Sequence, residues 1–244
     1  MKSRLVSSII LTFLLLLILS VEVFAWGPIT HMTLLDDIIN DPRLNPDIKK
    51  VLQENLRYSK GGAMGPDLFY FSDKRFADIA HYCSTNSLAT SMLNTAKKSG
   101  KPQNIAYAYG WIIHVATDPI GHKWVNRIVG GEYDSNNSTI KKAHRDVELS
   151  IDTLNEISHN YALENMFYDG TYKTIADAYK SLYGCSKNAP TIQDYRRADN
   201  LLFALISNYG AMQRDPYRFN TPEYHQAYQD SIDTAIRAVK WGQT

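Results

Sequence analysis

The chain has 244 residues and a net charge of +1, with 26 Lys and Arg against 25 Asp and Glu. So even a balance excludes bulk electrostatic capture of nucleic acid or acidic lipid as the basis of function. The length suits one domain with a sizeable core, and no Gly/Ser linker, low-complexity run or internal repeat divides it.

The first 25 residues read as a secretory signal peptide. Lys2 and Arg4 form a positive start, Ile9 to Val21 is an almost unbroken apolar run, and Val23 and Ala25 place small residues at a cleavage site. The run is shorter than the roughly 20 apolar residues of a membrane span, which makes a retained anchor the alternative. Cleavage after Ala25 would make Trp26 the new N-terminus, and the expected location is secreted or periplasmic. The fold is then assigned to residues 26–244.

From there helical periodicity dominates and alternating strand patterns are nearly absent, so the predicted class is all-α, a single-domain bundle of several helices. Met32 to Asn40 is a predicted helix that ends before Asp41-Pro42, and Pro46 to Arg57 is a second, with proline in its first turn. Gly61 to Pro66 reads as a turn-rich loop that delivers Asp67. Ser84 to Lys98 is predicted helical and ends at Gly100. Pro102 to Asn126 is a long apolar helix, followed by a loop over Gly130 to Asn137. Thr139 to Tyr161, Thr171 to Tyr183, Ile192 to Tyr209 and Pro222 to Trp241 complete the set. Pro119 sits inside the long helix. Proline removes a backbone donor and disfavours α geometry at the residue before it, so a kink or loosened turn is expected between Asp118 and His122.

The chemistry concentrates in the histidines, of which there are seven. His114, Asp118 and His122 are spaced four apart in H-V-A-T-D-P-I-G-H. His144 and Glu148 repeat that spacing in H-R-D-V-E. At this interval a helix presents both side chains on one face, within reach of one ion. The long helix is otherwise apolar, and burying His, Asp and His there without partners would cost several kcal/mol. Coordination of a metal by the deprotonated groups would offset that cost. His31 lies five residues beyond Trp26, His81 stands alone, and Asp67 ends G-A-M-G-P-D. A freed Trp26 amine, with its own carbonyl, can chelate a metal in a five-membered ring; the bland alternative makes Trp26 the first residue of the core. His159 and His225 fall outside every motif. Cys83 and Cys185 are compatible with a disulfide after export, with two separate thiols, or with metal ligation by Cys83 beside His81. Asn136-Asn137-Ser138 is a glycosylation sequon. The 16 tyrosines suit half-buried packing or interfacial contacts.

Taken in order, W-G-P-I-T-H, G-A-M-G-P-D, an isolated His, Y-G-W-I-I-H-V-A-T-D-P-I-G-H-K-W-V-N and H-R-D-V-E resemble the zinc-dependent phospholipase C family. That family is related to the amino-terminal domain of glycosylphosphatidylinositol-specific phospholipase D and to three-zinc single-strand nucleases. The resemblance spans residues 26 to about 150. It implies an all-α bundle built around a trinuclear zinc site, with about three Zn²⁺ per chain. Asp67, His81, His114 and Asp118 would hold the first zinc. His122, His144 and Glu148 would hold the second. The Trp26 amine and carbonyl, His31 and the bridging Asp118 would hold the third. Asp67 would also act catalytically, as the base or water-orienting group.

Some residues depart from the family pattern. Only three residues separate Asp118 from His122, as in the phospholipase D-type branch. No acidic residue follows Trp26, so choline selectivity is not implied. The Trp26-to-His31 step is similar to the nucleases, whereas Glu148 is more like the phospholipases. The leading expectation is an exported zinc phospholipase C acting on phospholipid at a membrane surface, with no stable nucleic-acid partner and no protein partner implied. Phe69, Tyr70 and Phe71 are candidates for a lipid-facing rim, with core packing equally compatible. The competing readings are a single-strand nuclease of the same superfamily and a non-catalytic, zinc-stabilised interaction domain.

Overall fold

The computed structural model describes residues 26–132, 137–159, 169–183, 189–207 and 214–242. Among them there is no strand. The helices are α1 (Pro28–Asn40), α2 (Pro46–Glu54), α3 (Leu56–Ala63), α4 (Gly65–Leu68), α5 (Lys74–Asp78), α6 (Thr85–Ser99), α7 (Pro102–Val129), α8 (Ser138–His159), α9 (Asp169–Tyr183), α10 (Ile192–Ser207) and α11 (Pro222–Trp241). A 3₁₀ turn at Phe69–Phe71 and a π turn at Ile79–Cys83 flank α5. The expected signal peptide, Asn136 of the sequon and Cys185 lie outside the described residues; Cys83 is an exposed free thiol. No described helix is long and apolar enough to cross a membrane.

Helix α7 is the central element, with α3, α6 and α11 packed along it. Trp26, Ile29, Leu34, Leu35, Ile38, Trp111 and Ile113 are fully buried in one core with residues of all these helices. Asn45 starts α2 by accepting from Asp47 N (2.8 Å) and Ile48 N (3.3 Å), and Thr221 starts α11 by accepting from Tyr224 N (3.3 Å). Gly100 and Gly130 end α6 and α7 at φ 64° and 74°, a conformation that side-chain-bearing residues avoid.

Three expectations need correction. Gly61 to Pro66 is not a loop. Residues 61–63 continue α3, and Asp67 stands on the short helix α4. The glycines are there for proximity rather than for turning. A Cβ on Gly62 would overlap the carbonyl oxygen of Tyr107, and one on Gly110 would overlap that of Ser59, so α3 and α7 meet backbone to backbone. Tertiary contact thus overrides weak helix propensity. The second predicted helix breaks at Asn55, which leaves α2 and α3 as separate elements. Finally, α7 stays helical through Pro119 over its 28 residues, so the turn between Asp118 and His122 is not lost.

Candidate metal centre

Helix α1 carries His31 and has no cap of its own. Its N-cap residue is Gly27, which offers no side chain. The cap comes instead from Asp152 on α8. The Asp152 carboxylate accepts from Ile29 N–H (3.2 Å), Thr30 N–H (2.8 Å) and the Thr30 hydroxyl (2.5 Å). These backbone donors are the second and third of the helix, the pair an N-cap side chain normally satisfies. The space a capping side chain would fill belongs to Asp152, since a Cβ on Gly27 would collide with its carboxylate. Asn155, one turn on, donates to Thr30 Oγ1 (2.9 Å) and accepts from Tyr224 O–H (2.9 Å). Helices α8 and α11 therefore fix the entry of α1 and, with it, His31.

Trp26 is buried in this corner. Its ring stacks on Trp124 (5.8 Å between centroids), meets the edge of Tyr224 and donates Nε1–H to Ser231 Oγ (3.2 Å). It lies against Gly121, where a Cβ would come within 2.8 Å of the indole. The side chain is thus a core group. The chelating role expected of its amine depends on cleavage next to Ala25, which lies outside the described residues.

His81 and His114 face each other with their Nε2 atoms 3.3 Å apart. Each ring is held from behind. His114 Nδ1 lies 2.7 Å from the carbonyl oxygen of Ala63, and His81 Nδ1 lies 2.8 Å from that of Ala77. A carbonyl oxygen only accepts, so both Nδ1 atoms carry a hydrogen, and Nε2 is the nitrogen that each ring offers as a lone pair when it is neutral. Such backing by backbone oxygen is the usual support of a metal-ligating histidine. The close α3–α7 approach at Gly62 and Gly110 is what brings the Ala63 carbonyl within reach.

Two carboxylates complete this cluster. Asp67 Oδ1 is 3.0 Å from His81 Nε2 and 3.7 Å from His114 Nε2, while its Oδ2 is 3.9 Å from His31 Nε2. Asp118 points Oδ1 at His31 (3.7 Å) and Oδ2 at His122 (3.6 Å), so one carboxylate spans two imidazoles on opposite sides. The rings of His31 and His114 stack at 3.9 Å. Ligand atoms of His31, Asp67 and His114, and separately of His81, His114 and Asp118, lie within 4.8 Å of one another. His122 and His144 approach at 5.5 Å between ring centroids, and His144 Nε2 is 3.0 Å from Glu148 Oε1. All the expected side-chain ligands are therefore gathered at one place. The third trio is set more openly than the first two. The structure also puts Asp67 beside His31, a pairing that the expected division among three ions does not include.

These residues fit a cation. His31 Nε2, both Asp67 oxygens and Asp118 Oδ1 are buried with no well-formed hydrogen bond among the described residues. Atoms of that kind are costly unless something completes them. The donor set of imidazole nitrogen and carboxylate oxygen, with no thiolate in contact, suits zinc. The electrostatics agree. Burial raises the Asp67 carboxyl above its ordinary value, against the pull of His81. Burial works to lower His81, but the Asp67 carboxylate outweighs it and lifts the imidazole to about 9. Burial, then the neighbouring His31, holds His114 well below its ordinary value. Burial acts to raise Asp118, yet the surrounding imidazoles of His122, His31, His114 and His81 keep it well below the carboxylate range. The pocket calls for positive charge, as a proton on His81 or as a cation before the Nε2 atoms.

A cavity of about 520 Å³ opens over the cluster, lined by His81, Tyr82, Asp118, His122, Lys123, Asn126 and Glu132 among others. Tyr82, Lys123, Asn126 and Glu132 drew no attention in the sequence. Lys123 follows a ligand candidate and Asn126 lies one turn beyond His122, so helical periodicity alone placed them there. Asp152 was missed although it extends the His144–Glu148 stripe by four more residues. Of the expected lipid rim, Phe69 is instead core, edge-on to Phe76 and Tyr179. Tyr70 packs 5.3 Å from the His81 ring. The Phe71 side chain lies outside the described set. His159 pairs with Asp37 (3.3 Å) and His225 with Asn220 (2.7 Å), both away from the cluster.

The profile of a family described as zinc dependent phospholipase C matches residues 30–210. That stretch contains every ligand candidate except Trp26. No curated protein and no solved structure matches the chain.

Proposed function

The chain belongs to the zinc-dependent phospholipase C family, and on that premise we propose that it is an exported phospholipase C, cleaving the glycerol-side phosphodiester of phospholipids at a cluster of about three zinc ions. One observation carries the reading. The His81 and His114 rings, each tied by Nδ1 to a backbone carbonyl, aim their Nε2 atoms at each other across 3.3 Å beside two buried carboxylates, under an open cavity.

In this reading Asp67, His81, His114 and Asp118 hold one ion. His122, His144 and Glu148 hold a second. His31, Asp118 and the freed Trp26 amine and carbonyl hold the third. Bound zinc supplies Lewis acidity, which makes water a competent nucleophile near neutral pH and offsets charge at the phosphoryl oxygens. The chain supplies the rest. The backbone carbonyls of Ala63 and Ala77 orient the imidazoles and hold a hydrogen on Nδ1, which leaves Nε2 as the atom that would face an ion. Asp118, with one oxygen toward His31 and the other toward His122, joins the two halves of the cluster. Asp67 has two oxygens without well-formed hydrogen bonds, so one can ligate while the other orients the attacking water and takes its proton. Lys123 and Glu132 both line the cavity, where they would offer a cation to a phosphate and an anion to a head group.

The test is release of phosphorylated head group from mixed phospholipid vesicles by signal-processed, zinc-loaded protein, with and without a chelator. The expected result is release that the chelator abolishes. No release from fully metallated protein overturns the phospholipase reading; cleavage of single-stranded DNA under the same conditions would move the protein to the nuclease branch.

A further inference from the structure

We infer that Tyr107 and Trp111 are positioning residues for the cluster, a spacer that sets the gap between Asp67 and His114 through contact with Gly65; this rests on the reading of the cluster as a metal site. Asp67 stands on α4, a helix of four residues. A single helical turn has little stability of its own, so what α4 rests on decides where Asp67 lies. It rests on α7 at Gly65. A Cβ there would come within 2.5 Å of Trp111 Cε3, 2.8 Å of Trp111 Cζ3 and 2.7 Å of Tyr107 Oη, closer than real Cβ contacts come. The backbone of Gly65 therefore lies directly against both rings.

Tyr107 and Trp111 are one turn apart on α7, fully buried, with ring centroids 6.3 Å apart. Neither Tyr107 Oη nor Trp111 Nε1 has a hydrogen-bond partner among the described residues. Their hold on α4 is thus one of shape. His114 follows Trp111 by three residues, so the rings and the imidazole share one rod and the rings seat α4 on it.

The width of the rings then governs the approach of Asp67 Oδ1 to His114 Nε2, which is 3.7 Å. Two ligand atoms, each about 2.1 Å from one zinc, lie roughly 3.4 Å apart at the tetrahedral angle and never more than about 4.2 Å. The observed gap falls inside that limit with roughly 0.5 Å to spare. A methyl group on Gly65 needs at least 0.9 Å more room, the step from 2.5 Å to ordinary contact at 3.4 Å. A displacement of α4 away from α7 by that amount carries Asp67 out of reach of an ion held by His114. A narrower ring at position 111 removes the seat and lets α4 shift the other way.

The experiment counts metal rather than turnover. Wild type, Gly65→Ala, Trp111→Phe, the double variant and Leu52→Ala are stripped and titrated with Zn²⁺ or Co²⁺. Metal content is read by mass spectrometry, and ligand geometry by the visible spectrum of the Co²⁺ form. Leu52 is fully buried on α2, outside the cluster, so Leu52→Ala controls for a general loss of stability. Gly65→Ala should weaken one ion by about tenfold or more and change the Co²⁺ spectrum, while the remaining ions bind as in wild type. Trp111→Phe, which takes away the six-membered ring that Gly65 meets, should weaken the same ion by itself, yet restore it in the Gly65→Ala chain. Two changes that were merely destabilising would add rather than cancel. Leu52→Ala should keep every ion.

If Gly65→Ala does not fold, the contrast between Trp111→Phe and Leu52→Ala decides. Wild-type affinity for every ion in either Gly65→Ala or Trp111→Phe, an equal loss in Leu52→Ala, or a folded double variant no better than Gly65→Ala overturns the spacer. A wild type that binds neither Zn²⁺ nor Co²⁺ overturns the reading of the cluster instead.

Discussion

Asp152→Ala should cost far more than an ordinary helix-cap deletion. The carboxylate is fully buried and accepts from Ile29 N–H, Thr30 N–H and the Thr30 hydroxyl at 3.2, 2.8 and 2.5 Å. Each buried donor left without a partner costs roughly 1–3 kcal/mol. The three share one group, and the space vacated admits some relaxation, so their sum is an upper bound. Hydrogen bonds to a charged group contribute roughly 1.5–3 kcal/mol each, so with that relaxation about 4 kcal/mol is the expected loss here. For a domain of this size that lowers Tm by roughly 8–16 °C. Asp152→Asn keeps the shape and one acceptor but turns an amide toward N–H donors, and about half the loss is expected. The functional consequence is specific. His31 follows Thr30 directly, so the alanine variant should lose about one zinc per chain while retaining the ions held by α7 and α8. The assay is thermal unfolding of zinc-loaded and chelated protein alongside zinc content by mass spectrometry. An alanine variant that melts within about 2 °C of wild type and binds its full complement of zinc would refute the reasoning.

Other consequences can be measured separately. Asp199 is buried with its carboxyl pushed up to about 7 by desolvation, against the pull of Arg57. Its folded pKa exceeds the ordinary 3.8, so the native state holds the proton more tightly than the unfolded chain does. The ionisation penalty is absent below about pH 4, grows as pH rises toward 7 and is fully present above it. Asp199→Asn should therefore raise Tm at pH 8 and have little effect near pH 4; a pH-independent difference would contradict the assignment. Gly110→Ala forces a Cβ onto the Ser59 carbonyl oxygen. Separation of α3 from α7 should cost about 2–4 kcal/mol in denaturant unfolding and weaken the Ala63 hold on His114; an unchanged midpoint would show that the helices can part freely. Stripping zinc should lower Tm, because each ion at a hundredfold excess over its Kd contributes about 2.7 kcal/mol. An unchanged Tm after verified removal would count against ions at the buried carboxylates.

The sequence exposes whatever follows helical period. The all-α class, the boundaries of α6 and α11 to within a residue, and the His114–Asp118–His122 stripe on α7 are all legible because apolar or ligand residues recur every three to four positions. What depends on contacts between distant segments is not legible. Gly61-Gly62 reads as a turn until Tyr107 is seen against it. Nothing about Gly27 shows that Asp152 occupies its capping position. Pro119 reads as a kink or loosened turn, yet α7 stays helical through it. Asp152 itself lies on a visible stripe but serves a different helix, and nothing in local pattern says which one.

Three ligand candidates, His114, Asp118 and His122, share the single unbroken rod of α7. Each four-residue step along it advances roughly 6 Å and turns slightly past a full circle. The rod thus acts as a graduated ruler, and the gap between any ions held along it would be copied from backbone pitch rather than negotiated by side chains. Such a device tolerates exchange of one ligand for another but not insertion. A residue added between His114 and His122 would swing everything beyond it by about 100° and leave one graduation facing the wrong way. Changes of length are then confined to the loops, while the phosphate-sized interval over which catalysis would operate stays fixed by the hydrogen-bonded spine.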